Sequence, residues 1–357
     1  MTEFSLTRNA DDAVGHIERD SAIGLDTEFM RERTYFAELC LVQIAGEKGL
    51  LCVDPLENGD LSGLWERLAR LEWVAHAARQ DLEVFWQTAK ILPASLFDTQ
   101  VAAGLAGHAA QLGYAGLVKA LFDVELPKSH TRANWQRRPL RRELLQYAAE
   151  DVEYLLPLKE ALAESLDTLG RLDWARADSA LLLQPALYEP DPGNAISRLK
   201  GARNFRGRRR NAAALLAGWR ERRAVDRNKP RQWILKDSVL LDIAWRLPSS
   251  QRQLAAIPDM PPRLADRHGK TLVGLVQASE QDDGGYRPPK APDEAQKAVL
   301  REMQSAVAEA ARDLGLASEI VASKKELSAA VLNDDRSGRV FSDWRRELVG
   351  GELLAML

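Results

Sequence analysis

Two carboxylates end a short apolar segment near the start of the chain, AIGLDTEF at residues 22–29. The segment is typical of a buried β-strand, and a strand directs residues i and i+2 to the same face. Asp26 and Glu28 are therefore expected to lie side by side, where like charges repel and burial disfavours ionisation. The pair requires a cationic partner that it does not itself supply.

Three further polar side chains can reach the same place. Asp81 begins a predicted helix soon after WVAHA at residues 73–77, a segment typical of a strand. Tyr147 and Asp151 are four residues apart, so they share one face of another predicted helix. Two Mg²⁺ ions roughly 3.5–4 Å apart would neutralise four carboxylates and form the usual clamp for phosphodiester hydrolysis. We therefore predict that the four carboxylates bind two divalent ions, Mg²⁺ or Mn²⁺, and that Tyr147 orients the attacking water.

The elements around these residues indicate an α/β domain, a mixed sheet with flanking helices. Strands are predicted over residues 21–27, 39–45, 49–53 and 73–77, and helices over 60–71, from Asp81 and from Pro139. The second and third strands are expected to form a hairpin through Gly46-Glu-Lys-Gly49. Residues 185–197 contain three prolines and are typical of a linker. Only helical segments are predicted beyond it, with a second break at residues 281–289.

The formal net charge of −3 conceals an uneven distribution. Residues 198–231 contain 13 Lys and Arg against two acidic side chains, a local charge of +11 that leaves −14 for the remainder. Residues 126–142 contain six Lys and Arg and no acid. Such clusters are typical of a polyanion binder, with a solvated charged face as the alternative. From these clusters we predict nucleic-acid contacts at Lys128, Arg132, Arg138, Arg206, Arg208, Arg209 and Arg210.

Two aromatic side chains join this predicted nucleic-acid surface. Trp135 is a candidate for stacking on terminal bases, since aromatic faces bind single strands of any sequence. His76 lies five residues before Asp81 and is a candidate for contact with substrate, with a structural histidine as an equal alternative.

Length and composition limit the class of protein. A chain of 357 residues suggests two or three domains, and no apolar run approaches the roughly 18–20 residues of a membrane span. The N-terminal residues lack the features of a secretory signal, and Cys40 and Cys52 are expected to be buried thiols in a reducing compartment. No GxxxxGK[ST] phosphate loop occurs, which argues against a helicase and a nucleotide cofactor. We expect a cytoplasmic monomer with no membrane partner.

The motifs carry a family resemblance. LDTEF, HAARQDLEVF and QYAAEDVEYLLPL resemble the three exonuclease motifs of the DEDD superfamily, and their wording is closest to the ribonuclease D family. The tyrosine subclass places a Tyr four residues before the last Asp, as Tyr147 stands before Asp151. The histidine subclass has a His five before it, where this chain has Gln146. Trp135 and Arg138-Pro-Leu continue the resemblance, whereas Ala133 stands where relatives often have Ser. The resemblance implies an RNase H-like mixed sheet.

The C-terminal half resembles helical HRDC modules. Phrases such as AVDRNKP at residues 224–230 and GKTL at 269–272 carry this resemblance, and residues 294–354 resemble a second, degenerate copy. The expected organisation is an exonuclease domain, a basic linker, one HRDC domain and a degenerate HRDC domain, at residues 1–184, 185–206, 207–285 and 292–357.

The resemblance implies a metal-dependent 3′→5′ exoribonuclease that releases nucleoside 5′-monophosphates. Its expected substrates are tRNA precursors and other structured RNAs. A DNA 3′→5′ exonuclease is the enzymatic alternative, and a catalytically inactive RNA-binding adapter is the alternative from another class. A chain ending at Pro192 is expected to retain the catalytic residues and to trim short single strands.

Overall fold

A computed structural model describes residues 3–57, 59–127, 133–286 and 291–357. The predicted contacts Lys128 and Arg132 lie outside the described residues. The chain divides into two compact units. The first contains Met1–Met30, Glu38–Tyr188 and Lys290–Leu357, and the second contains Arg31–Ala37 and Glu189–Pro289.

The first unit begins with a six-stranded sheet and its flanking helices. The elements up to the linker are β1 (Phe4–Thr7), α1 (Ala10–His16), β2 (Ala22–Met30), β3 (Glu38–Gly46), β4 (Gly49–Val53), α2 (Ser62–Leu68), β5 (Glu72–Ala75), α3 (Arg79–Ala89), β6 (Ser95–Asp98), α4 (Thr99–Leu105), α5 (Tyr114–Phe122), α6 (Arg142–Glu153), α7 (Leu155–Thr168) and α8 (Leu172–Ala180).

The described residues beyond the linker are helical, as predicted. These helices are α9 (Gly207–Arg227), α10 (Arg231–Ile234), α11 (Asp237–Arg246), α12 (Gln251–Ala255), α13 (Pro262–Ala278), α14 (Glu294–Asp313), α15 (Ser318–Val321), α16 (Lys324–Asn333), α17 (Asp343–Arg345) and α18 (Gly351–Ala355). Among all the residues that the structure describes, no helix has both the length and the apolar character that a membrane span requires.

The sheet is mixed and places the predicted catalytic strand near its centre. Its strand order is β1-β4-β3-β2-β5-β6. β2 pairs antiparallel with β3 and parallel with β5, and β5 pairs parallel with β6. β3 and β4 form the predicted hairpin, in which Gly46 pairs with Gly49. Gly49 has a φ of +100°, a conformation that glycine adopts without steric cost.

Close packing fixes the helices behind β2. A Cβ atom at Gly24 would lie 3.0 Å from the Cβ of Leu155 and 3.1 Å from that of Ala45. A larger residue at this position would require α7 or β3 to shift by a few tenths of an ångström, so glycine favours the close approach of α7. Leu155, Leu158 and Leu162 continue this contact as buried residues of one apolar core. The approach of α7 also sets the position of α6, which immediately precedes it and carries the third motif.

Three local predictions require correction. The third-motif helix begins at Arg142 and not at Pro139, which follows Arg138 through a cis peptide bond within a loop. The helical run also breaks at Tyr154, where α6 ends and α7 begins. Strands β1 and β6 were not predicted, because each has only four residues and gives too short a pattern to distinguish from a loop.

The second unit is built around α9. Its apolar core contains Leu216, Leu240, Ile243 and Leu272, which come from α9, α11 and α13. Arg31–Ala37, the segment that leaves β2, belongs to this unit.

Hydrogen bonds fix this segment within the second unit. Tyr35 donates its hydroxyl to buried Glu221 at 2.5 Å, and the guanidinium of Arg231 lies 4.7 Å from the Tyr35 ring centroid. The side-chain oxygen of Asn228 accepts the backbone N–H groups of Tyr35 and Phe36, each at 3.0 Å.

The last helices belong to the first unit and have a small apolar core of their own around Met303, Val307 and Leu353. The indole of Trp344 stacks on that of Trp174 in α8, with centroids 4.3 Å apart and rings 4° from parallel. The C-terminal helices are thereby joined to the helices that flank the sheet.

Candidate active site

β2 brings the first two predicted ligands to the site. Burial raises the pKa of Asp26 well above its ordinary value, and the neighbouring charges of Asp81, Asp151 and Glu28 raise it further. Burial and the charges of Asp151 and Asp81 raise the pKa of Glu28 to about 8. Residues from three elements, β2, α3 and α6, therefore act on one another electrostatically. Each carboxyl of the set therefore lies where the charged form is disfavoured.

Asp81 is oriented by a residue between the first two ligands. Thr27 lies in β2, and its hydroxyl donates a hydrogen bond to Asp81 Oδ1 at 2.5 Å. Burial raises the pKa of Asp81 to about 7, although this hydrogen bond favours the charged form. Sequence reasoning missed Thr27, because a strand residue between two others points to the opposite face.

A buried carboxylate outside the predicted set holds the start of α3. Asp98 accepts the backbone N–H of Ala77 at 3.1 Å and that of Ala78 at 2.9 Å. The same side chain caps α4 by accepting the N–H groups of Gln100 and Val101. It thereby links β6, α4 and the loop that leads into Asp81. The sequence FDTQ carried the signal, since an Asp before a helix is a frequent N-cap.

Helix α6 supplies Tyr147 and Asp151. The hydroxyl of Tyr147 donates a hydrogen bond to Asp151, which favours the charged form of this carboxyl. Burial outweighs this bond and raises the pKa of Asp151 to about 6. The pKa of Tyr147 rises through burial and the adjacent Asp151 charge, so its hydroxyl keeps its proton at neutral pH.

A second tyrosine fixes the end of α6. The buried hydroxyl of Tyr114 donates to the carbonyl of Glu150 and accepts the N–H of Tyr154, both at 3.0 Å. It therefore satisfies backbone groups on either side of the break that follows Asp151. Tyr114 was not among the predicted site residues, since its position 37 residues before Asp151 gives no local signal.

The donor set suits hard divalent cations. All four predicted ligands are carboxylates, the donors that Mg²⁺ and Mn²⁺ prefer. Among the described residues, no three carboxylate, histidine or cysteine side chains are already close enough to hold an ion. Like charges repel, so the four carboxylates are expected to stay apart without a cation. A bound cation would neutralise this repulsion and allow them to come together. Burial is the main cause of the raised pKa values of these carboxyls, and a bound cation would favour their charged forms.

Three predicted nucleic-acid contacts are engaged within the protein. Trp135 is only 4% exposed and packs in an apolar core with Leu144 and Leu145. Its prediction as a base-stacking residue does not fit this position. Arg138 donates to Asp54 Oδ1 at 2.7 Å and to the carbonyls of Cys40 and Trp135, so it fixes the loop before α6.

His76 is held in the same way. One ring nitrogen lies 2.9 Å from Thr99 Oγ1 and the other 3.0 Å from the carbonyl oxygen of Leu112. Burial lowers the pKa of His76, which favours the neutral ring. Both observations support the structural alternative for this histidine.

The predicted arginine cluster at the start of α9 contains residues that contact other side chains and residues that line a cavity. Arg208 forms an ion pair with Glu280 at 2.6 Å, so its charge is partly neutralised. Arg209 lies over the Trp245 ring, 3.7 Å from its centroid. Arg206 and Arg210 line a cavity of about 490 Å³ whose walls include Phe205 and Tyr286. Arg206 also donates to the carbonyls of Arg203 and Phe205, both at 2.8 Å, and the RNA contacts of Arg206 and Arg210 stay predictions.

Comparison with known proteins places the chain in a family. Residues 4–167 match the 3′–5′ exonuclease family, and residues 209–276 match the HRDC domain family. A ribonuclease D of Gluconacetobacter diazotrophicus is 37% identical over 99% of this chain and 92% of its own length. The chain belongs to the ribonuclease D family. A ribonuclease D of Pseudomonas paraeruginosa is 34% identical over 94% of this chain and 92% of its own.

A solved ribonuclease D structure has the same architecture. The crystal structure of Escherichia coli RNase D, an exoribonuclease involved in structured RNA processing, matches with a TM-score of 0.87 and 28% identity. The match covers 99% of this chain and 98% of that one. The predicted family and the α/β exonuclease fold followed by a helical HRDC domain are confirmed. A second, degenerate HRDC domain stays a prediction.

Proposed function

We propose that this ribonuclease D homologue is a 3′→5′ exoribonuclease of RNA processing that releases nucleoside 5′-monophosphates. The observation that carries the proposal is the electrostatic coupling of Asp26, Glu28, Asp81 and Asp151 in one site, with Tyr147 hydrogen-bonded to the last. An inactive adapter has no need of four carboxyl groups placed where the charged form is disfavoured.

The four carboxylates would hold two divalent ions, in a family that depends on such metals. When bound, two ions stabilise the charge that develops on the attacking and leaving oxygens. The protein's own part is to position the ligands, since Thr27 orients Asp81 and Tyr147 contacts Asp151. Tyr147 keeps its proton and donates it to Asp151, so its hydroxyl oxygen can accept a hydrogen bond from a water beside the scissile phosphate and orient it.

The proposed substrates are tRNA precursors and other structured RNAs with a single-stranded 3′ end. The likeness to Escherichia coli RNase D, described as acting in structured RNA processing, supports this substrate class. We further propose that the protein acts as a cytoplasmic monomer.

End-labelled strands test the activity directly. RNA and DNA of the same sequence, labelled at the 5′ end, are incubated with the protein and Mg²⁺ or Mn²⁺. We expect the RNA to shorten one nucleotide at a time, with release of nucleoside 5′-monophosphates. Faster shortening of the DNA would favour the DNA exonuclease, and no shortening of either strand would favour the adapter.

Replacing Tyr147 by Phe should separate chemistry from binding. Loss of one preorganised hydrogen bond at a reacting site lowers turnover on the order of 10²-fold. The affinity for RNA should change little, because the ring still packs near Trp135, with centroids 6.4 Å apart in the unsubstituted protein. Single-turnover rates and binding titrations measure the two effects. An equal loss in both would make Tyr147 a structural residue.

Charge reversal should show whether the α9 arginines hold the RNA. In the double variant Arg206→Glu and Arg210→Glu, we expect KM for a structured RNA to rise roughly tenfold with little change in kcat, because these contacts bind ground and transition states alike. The salt dependence of binding should flatten by up to roughly 0.7 in log–log slope per lost phosphate contact. Arg252→Glu, at an exposed position of α12, is the matched control. An unchanged KM would make the cluster a solvated face.

A further inference from the structure

A second cavity in the HRDC-containing unit combines positive charge with aromatic rings. Its volume is about 430 Å³, within the range of small-ligand sites. Residues from the second half of α9, from α10 and from the first turns of α13 line it. Five are cationic, namely Arg223, Arg227, Lys229, Arg263 and Arg267. Among the described residues, none that lines it carries a carboxylate.

The positive charge of this cavity is not neutralised by the protein. Other cations of the basic segment have acidic partners, since Arg220 pairs with Asp237 and Arg231 with Glu221. Over the described ranges, none of the five cavity cations has a carboxylate oxygen within 4.0 Å. Three of these cations, Arg223, Arg227 and Lys229, belong to the basic segment 198–231, and α13 adds Arg263 and Arg267. An anion is the expected partner of such a cluster.

One wall of the cavity is preorganised. Arg223 lies 3.3 Å from Nε2 of His268, and the His268 ring meets Trp219 edge-on at 5.5 Å. A guanidinium only donates hydrogen bonds, so Nε2 must accept and the proton of the neutral ring lies on Nδ1. Burial and the charges of Arg223, Arg227 and Arg267 lower the pKa of His268 and keep the ring neutral.

The lining also includes an exposed aromatic face, that of Trp233. Trp233 is 61% exposed, whereas Trp219 in the same cavity is 8% exposed. The ammonium group of Lys229 lies 5.9 Å from the Trp233 ring centroid. An exposed indole beside unpaired cations offers a stacking surface next to a phosphate-binding group, the combination with which proteins hold single-stranded nucleic acid.

We propose that this cavity binds one nucleotide unit, with its base on Trp233 and its phosphate among Arg223, Arg227 and Arg267. A single RNA strand supplies this unit, and a free nucleoside monophosphate has the same chemistry. The inference rests on the proposed function for the identity of the strand, and it assigns a contact separate from the one at Arg206 and Arg210. Inorganic phosphate alone would leave the Trp233 face unused.

Binding to the full chain without metal tests the proposal apart from hydrolysis. A fluorescein-labelled oligoadenylate of about 12 nucleotides is titrated in EDTA and followed by anisotropy. Trp233→Leu should weaken binding roughly tenfold, as loss of one stacked base does. Trp233→Phe should restore part of that affinity. The pair Arg227→Gln and Arg267→Gln should weaken binding and lower the salt slope, whereas the exposed control Arg252→Gln should change neither.

Competitors identify the source of the bound unit. Displacement of the labelled strand by AMP, but not by equal inorganic phosphate, would show that a free nucleotide also enters. Binding of the strand alone, lost in both cavity variants, would assign the cavity to RNA. Unchanged affinity in both variants would overturn the proposal. That result would leave the proposed exoribonuclease function intact, provided that the same preparations still shortened RNA with Mg²⁺.

Discussion

Asparagine in place of Asp26 or Asp151 should abolish RNA hydrolysis and leave the fold intact. Each substitution removes a proposed metal ligand, and metal ions contribute several kcal/mol to transition-state stabilisation, so we expect a loss of roughly 10³-fold or more. In the metal-free protein the same change removes one of four mutually repelling carboxylates. The variants should therefore unfold at the same temperature as the unsubstituted protein or at a higher one.

Thermal unfolding with and without metal measures the binding half of this prediction. A ligand at 100 times its dissociation constant stabilises the folded state by about 2.7 kcal/mol. The unsubstituted protein should gain stability from Mg²⁺ or Mn²⁺, and the asparagine variants should gain less. Glu143→Gln is the matched control, because Glu143 is exposed in the first turn of the same helix as Asp151. A metal site would be ruled out if the unsubstituted protein gained no stability from either ion.

The placement of the candidate site residues along each element could be predicted, because it depends only on neighbouring residues in the sequence. Asp26 and Glu28 share a strand face, and Tyr147 and Asp151 share a helix face, so backbone periodicity alone places each pair. The hairpin of β3 and β4 was equally predictable from the two glycines of its turn. Each of these inferences depends on residues within a few positions of one another.

The supporting residues could not be predicted, because their contacts join distant segments. Thr27 and Asp81 are 54 residues apart, and Ala78 and Asp98 are 20 apart. No local sequence pattern predicts that the Thr27 hydroxyl will contact Asp81 or that the Asp98 carboxylate will contact the backbone of Ala78. Their positions follow from the order of β2, β5 and β6 in the sheet. The sequence predicts the candidate metal ligands, whereas the sheet topology determines which other residues orient them.

The wrong assignments have the same origin. Trp135 and Arg138 lie in a basic segment beside the third motif, and that setting is typical of nucleic-acid contacts. Whether such side chains face solvent depends on where the loop folds. Here the loop places Trp135 in an apolar core and directs Arg138 to a buried carboxylate, that of Asp54. The number of basic residues in a sequence segment therefore does not show which of them form ion pairs within the protein.

The C-terminal helices should prove necessary for the stability of the exonuclease unit. Arg345 is 1% exposed and donates to both carboxylate oxygens of Asp178 in α8, at 2.5 and 2.6 Å. It also donates to the carbonyls of Ile320 and Val321. Removing one partner of a buried ion pair leaves an uncompensated charge, which costs about 3–5 kcal/mol. We therefore expect Arg345→Ala to lower the free energy of unfolding of this unit by that amount.

Urea denaturation followed by tryptophan fluorescence measures the effect, with the adjacent exposed residue in Arg346→Ala as control. The double variant Arg345→Met and Asp178→Leu should recover most of the stability, because apolar replacement of a buried pair is often neutral.

The contact between Arg345 and Asp178 also affects what a truncated chain can show. A chain ending at Pro192 keeps the five predicted catalytic side chains but deprives Asp178 of Arg345, Trp174 of Trp344, and Arg171 of the Leu314 carbonyl. Such a fragment should lose stability before any effect on RNA binding can be measured, so the roles of the helical modules are better tested by substitution in the whole chain. A fragment as stable as the complete protein would contradict this prediction.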